Sequence, residues 1–186
     1  MGGRRFIPPE RGAKLKFMTD RRALFDAEGR ALLRYARALT QDDDWARDLW
    51  QETAARVLAA RTVPAEARAA RVWLFRILRN AFIDDRRRQR PAGAVELAEA
   101  AGAAVFGHDA RLIAEMTVRQ ALERLPEEQR ELVGLVDIVG FSYADAAESL
   151  GLPIGTVMSR LARARAAMLA DIANGTVVPL RRRQAR

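Results

Sequence analysis

Near the C-terminal end, Thr156, Ser159, Arg160 and Arg163 place short hydroxyls and long guanidinium groups on one side of a segment whose Val157, Leu161, Ala164 and Met168 recur at helical spacing. Such donors suit phosphate oxygens and the acceptors on base edges, so this face fits nucleic acid. A second set lies in Arg71–Arg90, RVWLFRILRNAFIDDRRRQR, where Trp73, Arg76, Asn80, Asp84 and Arg87 recur on one face with Arg79, Arg86, Arg88 and Arg90 close by. An aromatic ring beside Arg and Asn can hold an unstacked base, because stacking tolerates any base while the amide reads an edge. A third set, Asp48, Gln51, Glu52 and Ala55, forms a ridge opposite an apolar stripe; taken alone, it reads as a solvated helix face. None of the three contains a nucleophile, a metal cluster or a phosphate-binding Gly loop. The expectation is binding without catalysis.

The elements that carry these sets follow from local patterning. The stretch Gly140–Leu169 predicts two helices joined by a tight turn: Ser142 with Asp145 three residues on forms a capping box, and Gly151 stands where a left-handed residue closes the first helix. This is a helix-turn-helix whose second helix would enter a major groove. In Arg71–Arg90, Leu74, Ile77, Leu78, Ala81 and Phe82 make the core face, and seven arginines against two aspartates leave five of the chain's net eight positive charges there. A basic amphipathic helix is also compatible with a membrane surface or a calmodulin-like partner, yet its apolar face is needed for packing.

The 186 residues, 49% of them hydrophobic, suffice for one ordinary domain or two small ones, and the net charge of +8 favours a polyanionic partner. With no Cys and the single His108 in a weakly patterned stretch, no metal or other cofactor is expected. No run approaches the ~20 apolar residues of a membrane span, and no secretory signal opens the chain, so a cytoplasmic protein without membrane insertion is expected.

In chain order, residues 1–19 read as a mobile arm. A helix over Arg22–Thr40 carries Leu24, Phe25, Leu32, Leu33, Ala36 and Leu39 on one side, and Asp42–Asp44 start the next, Trp45–Arg61, which buries Ala46, Leu49, Trp50, Thr53, Ala54, Val57 and Leu58. After a loop at Thr62–Arg71 the basic helix completes a first domain over residues 20–90. Residues 91–110, opened by Pro91 and poor in large side chains, read as a flexible linker. A second domain over residues 111–172 begins with a helix carrying Leu112, Met116, Leu122 and Leu125, continues through a Pro126-initiated helix with Glu127, Glu128 and Glu131 near its start, and ends in the helix-turn-helix. Residues 173–186 are a basic tail. The fold class is thus all-α, two small helical domains on a tether.

In series, DLWQET (Asp48–Thr53), VWLFRILRNAFIDDRRR (Val72–Arg88), LPEEQRELVGL (Leu125–Leu135) and FSYADAAESLGLPIGTVMSRLARAR (Phe141–Arg165) resemble the extracytoplasmic-function (ECF) sigma factors of bacterial RNA polymerase. The resemblance implies that Asp48, Leu49, Gln51 and Glu52 contact core polymerase. It places Trp73, Arg76, Arg79, Asn80, Arg87 and Arg88 at a melted −10 promoter element, and likens the loop before them to one that captures a flipped base. It assigns Thr156, Ser159, Arg160 and Arg163 to the −35 duplex, with Arg165 on a phosphate. It further implies promoter DNA, core RNA polymerase and an anti-sigma factor as partners. Three positions depart from the pattern: Trp50 is bulky for its site, Ala146 replaces a larger aliphatic residue, and Met158 stands where Lys is frequent. Two other readings fit parts of the chain, an ordinary helix-turn-helix regulator and a sigma-like decoy for an anti-sigma factor; the first leaves the acidic ridge unused and the second leaves both basic faces unused.

Overall fold

The computed structural model describes residues 11–89 and 110–174, with side chains placed for 21–88 and 114–174. Every element among them is helical: α1 (Arg11–Thr40), α2 (Asp43–Ala59), α3 (Ala67–Gln89), α4 (Ala110–Glu123), α5 (Glu127–Val133), α6 (Tyr143–Leu150) and α7 (Ile154–Ala173). Helix α1 starts at Arg11, so the expected mobile arm is helical from that residue on, in keeping with the good helix formers Ala13, Lys14, Leu15, Lys16 and Met18 and the absence of proline from it. The remainder of the arm, residue 90, the linker's residues 91–109 and the tail from 175 lie outside the described residues, and the linker's last residue, Ala110, begins α4.

Helices α1, α2 and α3 form the first module. Asp42 caps α2, its carboxylate accepting from the amides of Asp44 and Trp45 at 2.9 and 2.8 Å, and Gln41, at φ 57°, turns the chain just before it. Glu66 does the same for α3, accepting from Arg68 and Ala69; these amide bonds hold its carboxyl below the usual range. That cap starts α3 at Ala67, four residues before the expected Arg71 and inside the expected loop. Leu32, Tyr35, Leu74, Phe75 and Leu78 fill the core completely buried. The bulky Trp50 is seated half-buried against Phe25, ring centroids 4.8 Å apart, and donates to the Gly29 carbonyl at 2.9 Å. Leu58, expected on the buried stripe, is 57% exposed because it borders an open groove shared with Phe25, Ala54 and Val57.

Helices α4 to α7 form the second module. After Val133, the helix of α5 widens into a π turn over Gly134–Ile138, the amide of Val139 reaching back to the Gly134 carbonyl at 3.1 Å. Ser142 caps α6 by accepting from the Asp145 amide at 3.1 Å while its hydroxyl donates to the Asp145 carboxylate at 2.7 Å. Gly151, at φ 66°, closes α6 in the left-handed conformation that a Cβ disfavours. The expected helix-turn-helix is therefore present. Ala146 beneath it is fully buried.

The two modules do not stand apart. Tyr35, Phe75 and Phe141 meet in succession, tilted and then edge to face, at 5.6 and 4.9 Å between centroids, and carry one continuous core from α1 and α3 into the second module. Gly134 makes the approach possible: a Cβ added there would lie 3.0 Å from the Tyr35 ring and 3.3 Å from Ala38.

A candidate nucleic-acid interface split between two helices

Helix α7 turns Val157, Leu161 and Ala164 into the module, which leaves the opposite side to water by helical geometry. Ser159 and Arg163 occupy the centre of that free side, both exposed, with Thr156 half-buried at its edge. The Ser159 hydroxyl donates to the Thr156 carbonyl at 3.1 Å and the Arg163 Nε to the Ser159 carbonyl at 3.3 Å, so both side chains lie along the helix. Arg160 and Arg165 sit on the flanks and are engaged. Arg160 pairs with Glu128 at 2.6 Å. Arg165 grips Asp137 through two nitrogens and the Tyr143 hydroxyl at 3.2 Å, bonds that push its pKa above the ordinary arginine value. The expected −35 set is thus a free centre, Ser159 and Arg163, between two anchored arginines.

Helix α3 presents a different picture. Trp73, Asn80 and Arg87 share one stripe, with Asn80 and Arg87 exposed and the Trp73 ring half-buried against the core. Arg88 is exposed at the C-terminal end and lies 3.4 Å from Asp85. Arg76 and Arg79, expected in the same set, face the second module instead. The Arg76 guanidinium donates to the Glu148 carbonyl at 2.5 Å. Arg79 donates to both oxygens of Glu131, at 2.5 and 3.4 Å, and Tyr35 adds its hydroxyl at 3.4 Å. Burial raises the Glu131 carboxyl above the glutamate range even though Arg79 and Tyr35 counter it, and burial together with Glu131 raises the Tyr35 phenol well above its usual value. More α3 arginines join the same contact: Arg68 bridges Asp145 and Glu148, Arg71 donates to Glu28 and the Val139 carbonyl while lying 4.4 Å from the Phe141 ring centre, and Arg86 pairs with Glu127. The closed arrangement therefore occupies much of the cationic surface of α3.

On α2, Asp48, Gln51 and Glu52 are exposed as one ridge, and Arg56 steadies Glu52 at 2.8 Å while reaching Asp84 at 3.0 Å. Leu49 leaves this set. It is 3% exposed and packs beneath the ridge, because its position on the helix is that of Ala46 and Thr53. Sequence reasoning missed Glu131 as a structural centre, reading it only as an acid near a helix start. Its spacing of four from Leu135, a residue of the buried side, was the available signal.

Among the described residues no group of His, Asp and Glu is placed to hold a metal ion, and no helix is long and apolar enough to cross a membrane. The profile of sigma-70 region 2 matches residues 24–92 and that of sigma-70 region 4 matches residues 115–168. The ECF RNA polymerase sigma factor EcfG of Rhodopseudomonas palustris is 40% identical over 144 residues, covering 75% of this chain and 78% of that one. SigM of Mycobacterium tuberculosis is 38% identical over 146 residues, covering 77% and 72%. Among solved structures, the sigma factor RpoE of Bartonella quintana, in complex with the anti-sigma factor NepR, superposes with a TM-score of 0.61 at 29% identity, covering 85% of this chain and 97% of that one. CnrH, in complex with the cytosolic domain of CnrY, gives 0.61 at 29%, covering 83% and 88%. A helix-turn-helix in one module and an arginine-rich helix in the other agree with both profiles, and the chain belongs to the ECF RNA polymerase sigma factors.

Proposed function

We propose that this chain directs core RNA polymerase to promoters, binding the polymerase through Asp48, Gln51 and Glu52, reading the −35 duplex through Thr156, Ser159 and Arg163, and holding the opened −10 strand along Trp73, Asn80, Arg87 and Arg88. Arg76 and Arg79 join the −10 surface once the second module lifts away from α3. Arg160 and Arg165 hold α7 in place and add phosphate contacts at its flanks. The work is positioning and strand separation, with no bond of the DNA made or broken by the chain, and it takes place in the cytoplasm.

The carrying observation is that two cationic helices sit in separate modules, α7 with Ser159 and Arg163 exposed and α3 with Asn80 and Arg87 exposed along the stripe of Trp73. A duplex reader alone would have no use for the exposed Asn80 and Arg87 beside Trp73, which do not serve the joint. An anti-sigma factor fits the same scheme, since a protein that holds the modules closed keeps Arg76 and Arg79 from DNA. RpoE and CnrH were each solved with such a regulator or with the cytosolic domain of a protein bound to them. Adding the purified chain to sigma-free core polymerase and mapping starts on genomic DNA should yield a set of new, shared-motif promoters. Absence of start-site selection rejects the proposal. In the same assay Asp48→Ala combined with Glu52→Ala should weaken association with core polymerase while the circular dichroism spectrum stays unchanged.

A further inference from the structure

The free side of α7 is not wholly polar. Met158 is 52% exposed and Ile154, one turn before it, 51% exposed. Ala162, one turn after Met158, is also open. Residues four apart share a helix face, so Met158 and Ala162 run directly beside Ser159 and Arg163, and together these four make a contiguous patch, half apolar and half donor. Further along, Leu169 and Ile172 are exposed as well, at 68% and 40%. The Arg165 clamp on Asp137 and Tyr143 stands between the two apolar groups and divides them. The N-terminal group therefore belongs with the donors of the recognition face.

A major groove offers one apolar feature to such a patch, the C5 methyl of thymine, which projects beside the donor and acceptor edges. Met is suited to it, having an unbranched, polarizable chain that adjusts to an irregular surface. We infer that Met158, backed by Ile154 and Ala162, is a specificity-determining residue that selects a thymine methyl next to the base pair or phosphate engaged by Ser159 and Arg163. The inference rests on the reading of the second module as the −35 reader.

The test uses holoenzyme reconstituted from the full chain and core polymerase, on a promoter obtained from start-site mapping. Each thymine of the −35 element, on either strand, is replaced in turn by deoxyuracil, which deletes only the methyl. At one or two positions the wild-type holoenzyme should lose about threefold to fivefold in affinity, the scale of one buried methyl, and Met158→Ala should show no further loss at those positions. Uniform tolerance of deoxyuracil, or an equal penalty in wild type and Met158→Ala, overturns the inference. So does a Met158→Ala holoenzyme that assembles poorly with core polymerase yet retains the deoxyuracil penalty, since Met158 would then serve a protein contact. Arg163→Ala separates the two levels. If it weakens −35-dependent binding while deoxyuracil has no effect, only the methyl assignment fails; if it has no effect on binding either, the −35 reading fails with it.

Discussion

Helices α3 and α7 are both rich in arginine, yet the first spends most of its cations on other parts of the molecule and the second keeps its central one outside. On α3, Arg68, Arg76, Arg79 and Arg86 meet acids or a carbonyl of the second module. On α7, only the flanking Arg160 and Arg165 are paired, within their own module, and Arg163 stays exposed. The difference teaches that cationic character does not define a DNA surface. What matters is where the acids that neutralise it lie. Those opposite α3 sit across the joint between modules, whereas those beside Arg160 and Arg165 lie in the same module as α7.

The contrast breaks most sharply at Arg79. Arg79→Ala leaves Glu131 buried beside Tyr35 without its cation, a loss of about 3 kcal/mol for the closed form, and separation of the modules would return the carboxylate to water. Small-angle scattering should show a larger radius of gyration, with helix content unchanged. An unaltered radius would show that the joint does not depend on this pair. Gly134→Ala sharpens the point by opposing two effects at one residue. Alanine favours the helix by roughly 1 kcal/mol, but its Cβ would meet the Tyr35 ring at 3.0 Å across the joint. Overpacking of about 1–3 kcal/mol should then loosen closure while the second module's own melting temperature holds or rises. A variant that melts lower without opening would refute this division.

The smallest effect is the dependence on pH. Burial raises the Glu131 pKa in the closed form, against the opposing pull of Arg79 and Tyr35 and with the help of Glu128. A group whose pKa is higher in the closed state favours closure when protonated. Closure should strengthen as pH falls from neutrality towards the ordinary glutamate value of 4.5. The gain is fully present below that value and lost as pH rises through the raised one. At still lower pH the trend reverses, because protonation of Asp145 removes the charge that Arg68 meets across the joint; burial raises this carboxyl, but its bonds to Ser142, the cap of its own helix, and to Arg68 hold it below its usual range. A fluorescence pair across the joint reads both limbs, and a flat response in Glu131→Gln would assign the first to this residue.

Much of this was legible in local patterning. Ser142, Asp145 and Gly151 marked the helix-turn-helix because capping and left-handed turns depend on a few neighbouring residues. The buried sides of α2 and α7 followed from helical period alone. Leu58 was misjudged because period says which side faces inward but not whether a neighbour covers the last turn. Leu49 was a different case, since the resemblance assigned it to a contact that its own apolar stripe contradicted.

By itself, then, the sequence determined the helices, their caps, their apolar sides and the placement of two cationic segments, all of which are set by interactions within a few residues. Tertiary structure alone decided which cations are free. Arg79 and Glu131 are separated by 52 positions in the chain, and no local rule brings them together. Their meeting depends on Tyr35, Phe75 and Phe141 forming one apolar joint and on Gly134 lacking a side chain, and it is that joint which divides an occupied α3 from an open α7.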